Sequence, residues 1–274
     1  MKKFIRWAGN KSRMLTILSK HVPQEYNRYI EPFLGSGALF LHLDPKKWII
    51  NDINKDLMGI WNTVAMNPEK LINHLKKLSD EIRNIGVEQR KAYLHSLTES
   101  IPKMRASVRK SAVILFISHL SYASHIMRNH RFYFPGIDSS VEFSKLRVSS
   151  VEYAHNIMNI HKKLCEKGGM IMNMSYQDVL KKARENDFVF LDPPYIENHK
   201  YQLNYNIDEE LNMGFLEGLK REVTLLDTKK VKWMMTQADT EDVRRIFGMY
   251  NVIQVKVYRG YSNSFKNELI IKNY

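Results

Sequence analysis

The chain has 274 residues, 44% of them hydrophobic and 26% charged, which reads as a soluble globular protein: one large domain, or a core domain carrying an insertion. A formal charge of +13 points to a polyanionic partner, either nucleic acid or an anionic membrane surface. Its apolar runs fall short of the roughly eighteen residues a membrane span needs, charge returns too soon after Met1 for a signal peptide, and Cys165 is the single cysteine, so a reduced, metal-free, intracellular protein, cytoplasmic or nucleoid-associated, is expected.

In chain order, Trp7-Ala8-Gly9-Asn10-Lys11 opens the ordered part, and a helix is expected through Met14, Leu15 and Leu18 before Pro23 stops it. Tyr29-Ile30-Glu31 reads as a strand running into Pro32-Phe33-Leu34-Gly35-Ser36-Gly37, with a helix beginning at Ala38. Glycines in such a turn let the backbone approach a ligand closely at a helix start, although the third glycine of the dinucleotide fingerprint is missing. Trp48-Ile49-Ile50-Asn51-Asp52 is a second strand, ending in an acid 17 positions after Gly35. A carboxylate at about that offset receives ribose hydroxyls in nucleoside-binding α/β folds, while the plainer reading of Asp52 is a cap for a helix from Ile53 onward.

Residues 55 to 170 depart from strand-helix alternation. Three helices are expected there: one started by Asn67-Pro68 with the stripe Leu71, Ile72, Leu75, Leu78 and Ile82; one from about Arg105 to His119 burying Val108, Ala112, Leu115 and Phe116; and one from Ser149, with Glu152 at capping-box spacing, to Gly168-Gly169. Between Ile101 and Ile137 stand Lys103, Arg105, Arg109, Lys110, Arg128 and Arg131 and not one acid, a plausible phosphate-contacting face or a solvated basic helix. Arg128-Asn129-His130-Arg131 leads through aromatics to Pro135-Gly136, and Arg and Asn are the side chains that bond guanine and adenine edges bidentately. That makes the loop a candidate for base readout, against the alternative of a basic surface turn.

Strand patterning resumes at Met170 to Met174, and Phe188-Val189-Phe190-Leu191 is a buried strand leading into Asp192-Pro193-Pro194-Tyr195. Two prolines force a stiff turn that holds Asp192 and Tyr195 rigidly. A carboxylate, an exposed carbonyl and an aromatic ring there could grip one planar group carrying an exocyclic amine; the alternative is a Pro-Pro turn with Tyr195 as packing. Glu197 to Asn206 reads as a mobile loop beside the site. A helix from about Asp208 to Asp227, a strand at Val231 to Met235, and a closing pair at Asn251 to Tyr258 and Glu268 to Lys272 complete the chain.

Trp7 to Lys11, Glu31 to Gly37, Asn51-Asp52 and Asp192 to Tyr195, in this order, resemble the Dam-like DNA adenine-N6 methyltransferases; Ser175-Tyr176 with Asp178 looks like that family's SYxD segment. The resemblance implies a Rossmann-like α/β sheet that binds S-adenosylmethionine, at residues 1–54 and 170–274. A mostly helical target-recognition domain would be inserted at 55–169. It implies that Trp7, Lys11, Phe33, Gly35, Asp52, Tyr176 and Asp192 line the cofactor site. Asp192, Pro193 and Tyr195 would hold the target adenine, flipped from double-stranded DNA, and Arg105, Arg109, Arg128, Asn129 and Arg131 would contact that DNA. No metal is implied, and a cognate restriction endonuclease would act separately. Cytosine-N4 methylation presents the same amine geometry, and a silent DNA-binding relative would keep the basic module alone. The chain departs from the family at Ser121 to Arg128, where the Asn-Gly of the recognition hairpin is missing, which puts a GATC target in doubt. It departs again at Met235-Thr236-Gln237, where the family commonly has Ser-Asn.

Overall fold

The computed structural model describes residues 4–7, 9–122, 126–128, 131–139, 141–166, 168–195, 213–259 and 264–274. They form two compact units, one from residues 11–53, 168–195 and 213–274 and the other from residues 4–10 and 54–166. In the first unit a 3-10 turn, Lys11–Arg13, leads into α1 (Leu15–Ser19), β1 (Tyr29–Glu31), α2 (Ala38–Leu43) and β2 (Trp48–Asn51). Every residue of β1 and β2 is buried, as expected of parallel strands covered on both faces.

The second unit is helical: α3 (Lys55–Met66), α4 (Pro68–Asn84), α5 (Val87–Ser100), α6 (Val108–Leu120) and α7 (Val151–Leu164), with a short ribbon of β3 (Met127–Arg128) and β4 (Arg131–Phe132). Among the described residues five α-helices stand where three are expected. The start of α3 is fixed by Asn54, whose side-chain oxygen accepts from the amides of Asp56 and Leu57, so Asp52 is not the cap. Helix α5 leaves no apolar stripe in the sequence because it buries only Leu94, Leu97 and Thr98. Helix α7 is capped by Ser150, one residue later than expected, while Ser149 bonds back to the Leu146 carbonyl.

Helix α6 differs most from expectation. It packs against α3, α4 and α5 at once, so every residue from Lys110 to Leu120 is buried instead of one stripe. Lys110 reaches Asp56 at 2.7 Å with little solvent access, which removes it from the basic face it was expected to share. Residues 4–10 belong to this unit. Phe4 packs edge-on against Trp61, and its carbonyl accepts from the Tyr153 hydroxyl and meets His119 Nε2.

Back in the sheet unit follow β5 (Gly169–Met172), α8 (Tyr176–Leu180), β6 (Phe188–Leu191), α9 (Met213–Thr228), β7 (Lys232–Ala238), α10 (Glu241–Phe247), β8 (Asn251–Arg259) and β9 (Ser264–Lys272). The seven strands are ordered β5-β2-β1-β6-β7-β9-β8; the first five run parallel and the closing hairpin antiparallel. Leu216, Leu219, Val223 and Leu226 of α9 pack on Val189, Leu191, Trp233 and Met235 of the sheet. Burial of such side chains stabilises by about 1.5–3 kcal/mol each. This is a mixed α/β sheet, parallel over five strands and closed by an antiparallel hairpin. Among the described residues no helix is long and apolar enough to cross a membrane.

Candidate active site

Chain order reverses between β1 and β6, and in open α/β sheets ligands bind at the carboxyl ends of strands beside such a reversal. The segments leaving those ends are Pro32 to Gly37 after β1, Asp52 after β2 and Asp192 to Tyr195 after β6. With adjacent strands about 4.8 Å apart, Asp52 and Asp192 flank the glycine turn at a separation on the order of 10 Å.

The turn itself needs its glycines: Gly35 and Gly37 have φ of 50° and 62°, a region side chains rarely enter. Gly35 donates its amide to Asp52 Oδ2 at 2.9 Å. Asn51, fully buried, clips three segments together: its amide nitrogen donates to the carbonyls of Pro32 and Met174, both at 3.0 Å, and its side-chain oxygen accepts from the Met174 amide. Phe33 and Tyr176 face each other with ring centroids 5.1 Å apart, and Tyr176 meets Phe215 edge-on. Tyr176 is set by the start of α8, where Ser175 accepts from the Asp178 amide.

After β6 the Asp192 carboxylate is met twice on one oxygen. Lys11 Nζ lies at 2.8 Å and the Thr236 hydroxyl of β7 donates at 2.6 Å. The same Lys11 ammonium sits 4.6 Å from the centre of the Tyr195 ring, and the Tyr195 phenol donates to Glu268 of β9 at 2.7 Å. A rigid turn thus presents a carboxylate and an aromatic face side by side, which can hold a planar ring with an amine at its edge.

Against models of known families, residues 7–260 match the D12 class N6 adenine-specific DNA methyltransferases. The chain belongs to that family. Relatives include a type II methyltransferase, M1.LlaDCHI, of Lactococcus lactis, 27% identical over 100% of this chain and 96% of the relative. Another is the type II methyltransferase M.MjaIII of Methanocaldococcus jannaschii, 26% identical over 96% and 89%. A protein named DNA adenine methylase in Haemophilus influenzae is 23% identical over 98% and 91%. As a D12 adenine methyltransferase the chain takes a methyl donor and acts on DNA.

Lys11, Phe33, Gly35, Asp52, Tyr176, Asp192, Pro193 and Tyr195 all lie in the sheet unit of this D12 enzyme, and the contacts above join most of them. Trp7 is half-buried in the helical unit. Arg109 is exposed in the first turn of α6, and Arg105 is exposed in the segment just ahead of that helix. The backbones of Arg128 and Arg131 pair across the ribbon, while Asn129 lies outside the described residues, as does the expected loop from Glu197 to Asn206. Asp178 of the SYxD segment faces solvent and binds Ser175 and Lys181. The Lys181 contact holds its carboxyl below the ordinary range.

Three polar groups at this edge were not singled out from the sequence as site residues. In the sequence Thr236 stands out only as a departure from the family pattern, and Glu268 only as the start of a strand. Glu31 of β1 is buried and accepts from the Tyr29 hydroxyl at 2.8 Å. Burial pushes its carboxyl well above the usual carboxylate range, and the nearby Asp192 and Asp52 charges add to that. Burial likewise raises the Tyr195 phenol, followed by the Asp192 and Glu268 charges, so it remains a donor.

Proposed function

We propose that this chain transfers a methyl group from S-adenosylmethionine to N6 of an adenine turned out of duplex DNA, using the carboxyl-end segments of β1, β2 and β6. The observation that carries the reading is the Lys11 contact. An N–H donor that bonds the Asp192 carboxylate while lying over the Tyr195 ring is the arrangement the target amine requires, and the Lys11 ammonium makes it in the chain alone.

The residues fit the methyl donor. Asp52 offers a carboxylate to ribose hydroxyls, the left-handed glycine turn permits close backbone approach, and Phe33 with Tyr176 offers aromatic surface to a nucleoside base. When bound, S-adenosylmethionine supplies an electrophilic methyl on a sulfonium. The chain does the rest by position and charge. The amine of adenine is a poor nucleophile because its lone pair is delocalised into the ring. Asp192 and the Pro193 carbonyl accept its two N–H hydrogens and return electron density to the nitrogen, which would take the methyl as the carbon–sulfur bond broke, S-adenosylhomocysteine leaving and the amine's surplus proton passing to solvent. The Thr236 hydroxyl holds the carboxylate in place. Turning the base out costs a few kcal/mol, and stacking on Tyr195, about 1–3 kcal/mol, offsets much of it.

The helical unit would supply the DNA contacts, through exposed Arg105 and Arg109 and through the ribbon bearing Arg128 and Arg131. Two relatives are named type II methyltransferases, which makes a separately acting endonuclease the partner to look for. The test is methylation of adenine-containing duplexes with labelled donor, followed by digestion to nucleosides. The label is expected on N6-methyladenine. Asp192→Ala is expected to lower the rate at least about a hundredfold, the scale of losing one electrostatic contact in a transition state. Folded, donor-bound wild-type protein that labels no adenine in any duplex sinks the reading; label on cytosine redirects it.

A further inference from the structure

Tyr195 is only 7% exposed, and its phenol ends on a carboxylate that is itself 1% exposed. That carboxylate belongs to Glu268, in the interior of β9, opposite Ala238 of β7 and Val255 of β8. A buried acid is costly unless it is hydrogen-bonded, and the Tyr195 phenol supplies such a bond. The aromatic ring meanwhile hangs from the stiff Pro-Pro turn at one end and from Glu268 at the other, with the Lys11 ammonium over its face. The phenol oxygen lies on the axis about which the ring turns, so anchoring it fixes the direction of that axis and stops the side chain swinging about χ1, while the hydroxyl proton, which prefers the ring plane, ties that plane to its acceptor.

We propose that Glu268 is a positioning residue for methyl transfer: by accepting the Tyr195 phenol proton it fixes the ring against which the target base stacks, and so sets the approach of the amine to Asp192. The inference rests on the reading of the site given above. It assigns catalysis a residue two strands away from β6, 73 positions after the ring it orients.

The experiment compares full-length wild type with Glu268→Gln, Glu268→Leu, Tyr195→Phe and the Glu268→Leu/Tyr195→Phe double variant. Gln keeps an acceptor oxygen, whereas Leu removes the acceptor and leaves no buried charge behind. Measured are kcat and KM on the duplex the wild type methylates best, affinity for S-adenosylmethionine by calorimetry, thermal melting, and fluorescence of 2-aminopurine at the target position. Glu268→Gln is expected within about threefold of wild-type kcat, since a neutral acceptor retains the bond. Glu268→Leu and Tyr195→Phe are each expected to lose about tenfold or more in kcat, with altered 2-aminopurine signal and donor affinity within about twofold, because small misplacement of a reacting group is amplified in rate. The double variant should lose no more than about twofold beyond either single change, since both single changes remove the bond that Tyr195 and Glu268 share.

A Glu268→Leu protein with wild-type kcat and signal overturns the proposal. So do losses confined to melting temperature and donor affinity, which a purely structural role predicts, and so does a double variant equal to the product of the singles. If Glu268→Leu does not fold, Glu268→Gln against Tyr195→Phe decides: the amide must stay active while the phenylalanine falls. Wild-type protein that methylates no duplex fails the underlying reading before any variant is compared, and the tether falls with it.

Discussion

Asp192 takes two donors on one carboxylate oxygen, and each can be removed separately. Thr236→Val swaps the hydroxyl for a methyl of similar shape, so the fold should persist while the carboxylate loses one anchor. The expected result is a fall of about tenfold in kcat with little change in melting temperature, read in steady-state methylation and thermal denaturation. Glu31 makes a prediction about pH. Its folded pKa is raised above the ordinary value of 4.5, so the folded chain holds that proton more tightly than the unfolded chain does. Its contribution is therefore fully present below pH 4.5 and is lost as pH rises toward the raised value. Glu31→Gln keeps an acceptor for Tyr29 and removes the titration. The stability difference, variant minus parent, should be flat in acid and grow with pH above about 4.5, in denaturant titrations at several pH values.

Strands and helices carry two further tests. Asn51, at the end of β2, fastens the segments after β1 and β5 through three hydrogen bonds. Asn51→Ala leaves buried backbone groups without partners and should cost about 2–4 kcal/mol by denaturant unfolding. It should also weaken donor binding, because the glycine turn loses its clip. In the helical unit, Asp56→Ala strands the Lys110 ammonium within α6. A loss of about 2–3 kcal/mol is expected, most of it recovered in Asp56→Ala/Lys110→Met, since an apolar pair replaces a buried ion pair at little cost. If the double change is as unstable as the single one, the ion pair is not what the charge of Asp56 supports.

Taken as a molecule, the protein carries a net charge of +13, suited to a partner of opposite sign. If Arg105 and Arg109 touch phosphates, changing each to Ala should weaken binding to all duplexes alike. Each change should also lower the slope of log affinity against log salt by about 1. Unchanged slopes would move the contact face elsewhere on the helical unit.

Much of this was legible along the chain. Two prolines after an apolar strand, two glycines after another and an acid after a third mark the ends of parallel strands, because backbone chemistry at those points is local. Trp48 to Asn51 and Phe188 to Leu191 were recognisable since doubly covered strands are continuously apolar. What tertiary structure alone decided was which distant groups complete the site. Thr236 and Glu268 reach Asp192 and Tyr195 only because β7 lies beside β6 and β9 beside β7, and strand order is not written in periodicity. The same holds for Lys110: a lysine in a basic segment reads as surface until three helices close around it, and burial then makes an aspartate its partner in place of solvent or phosphate.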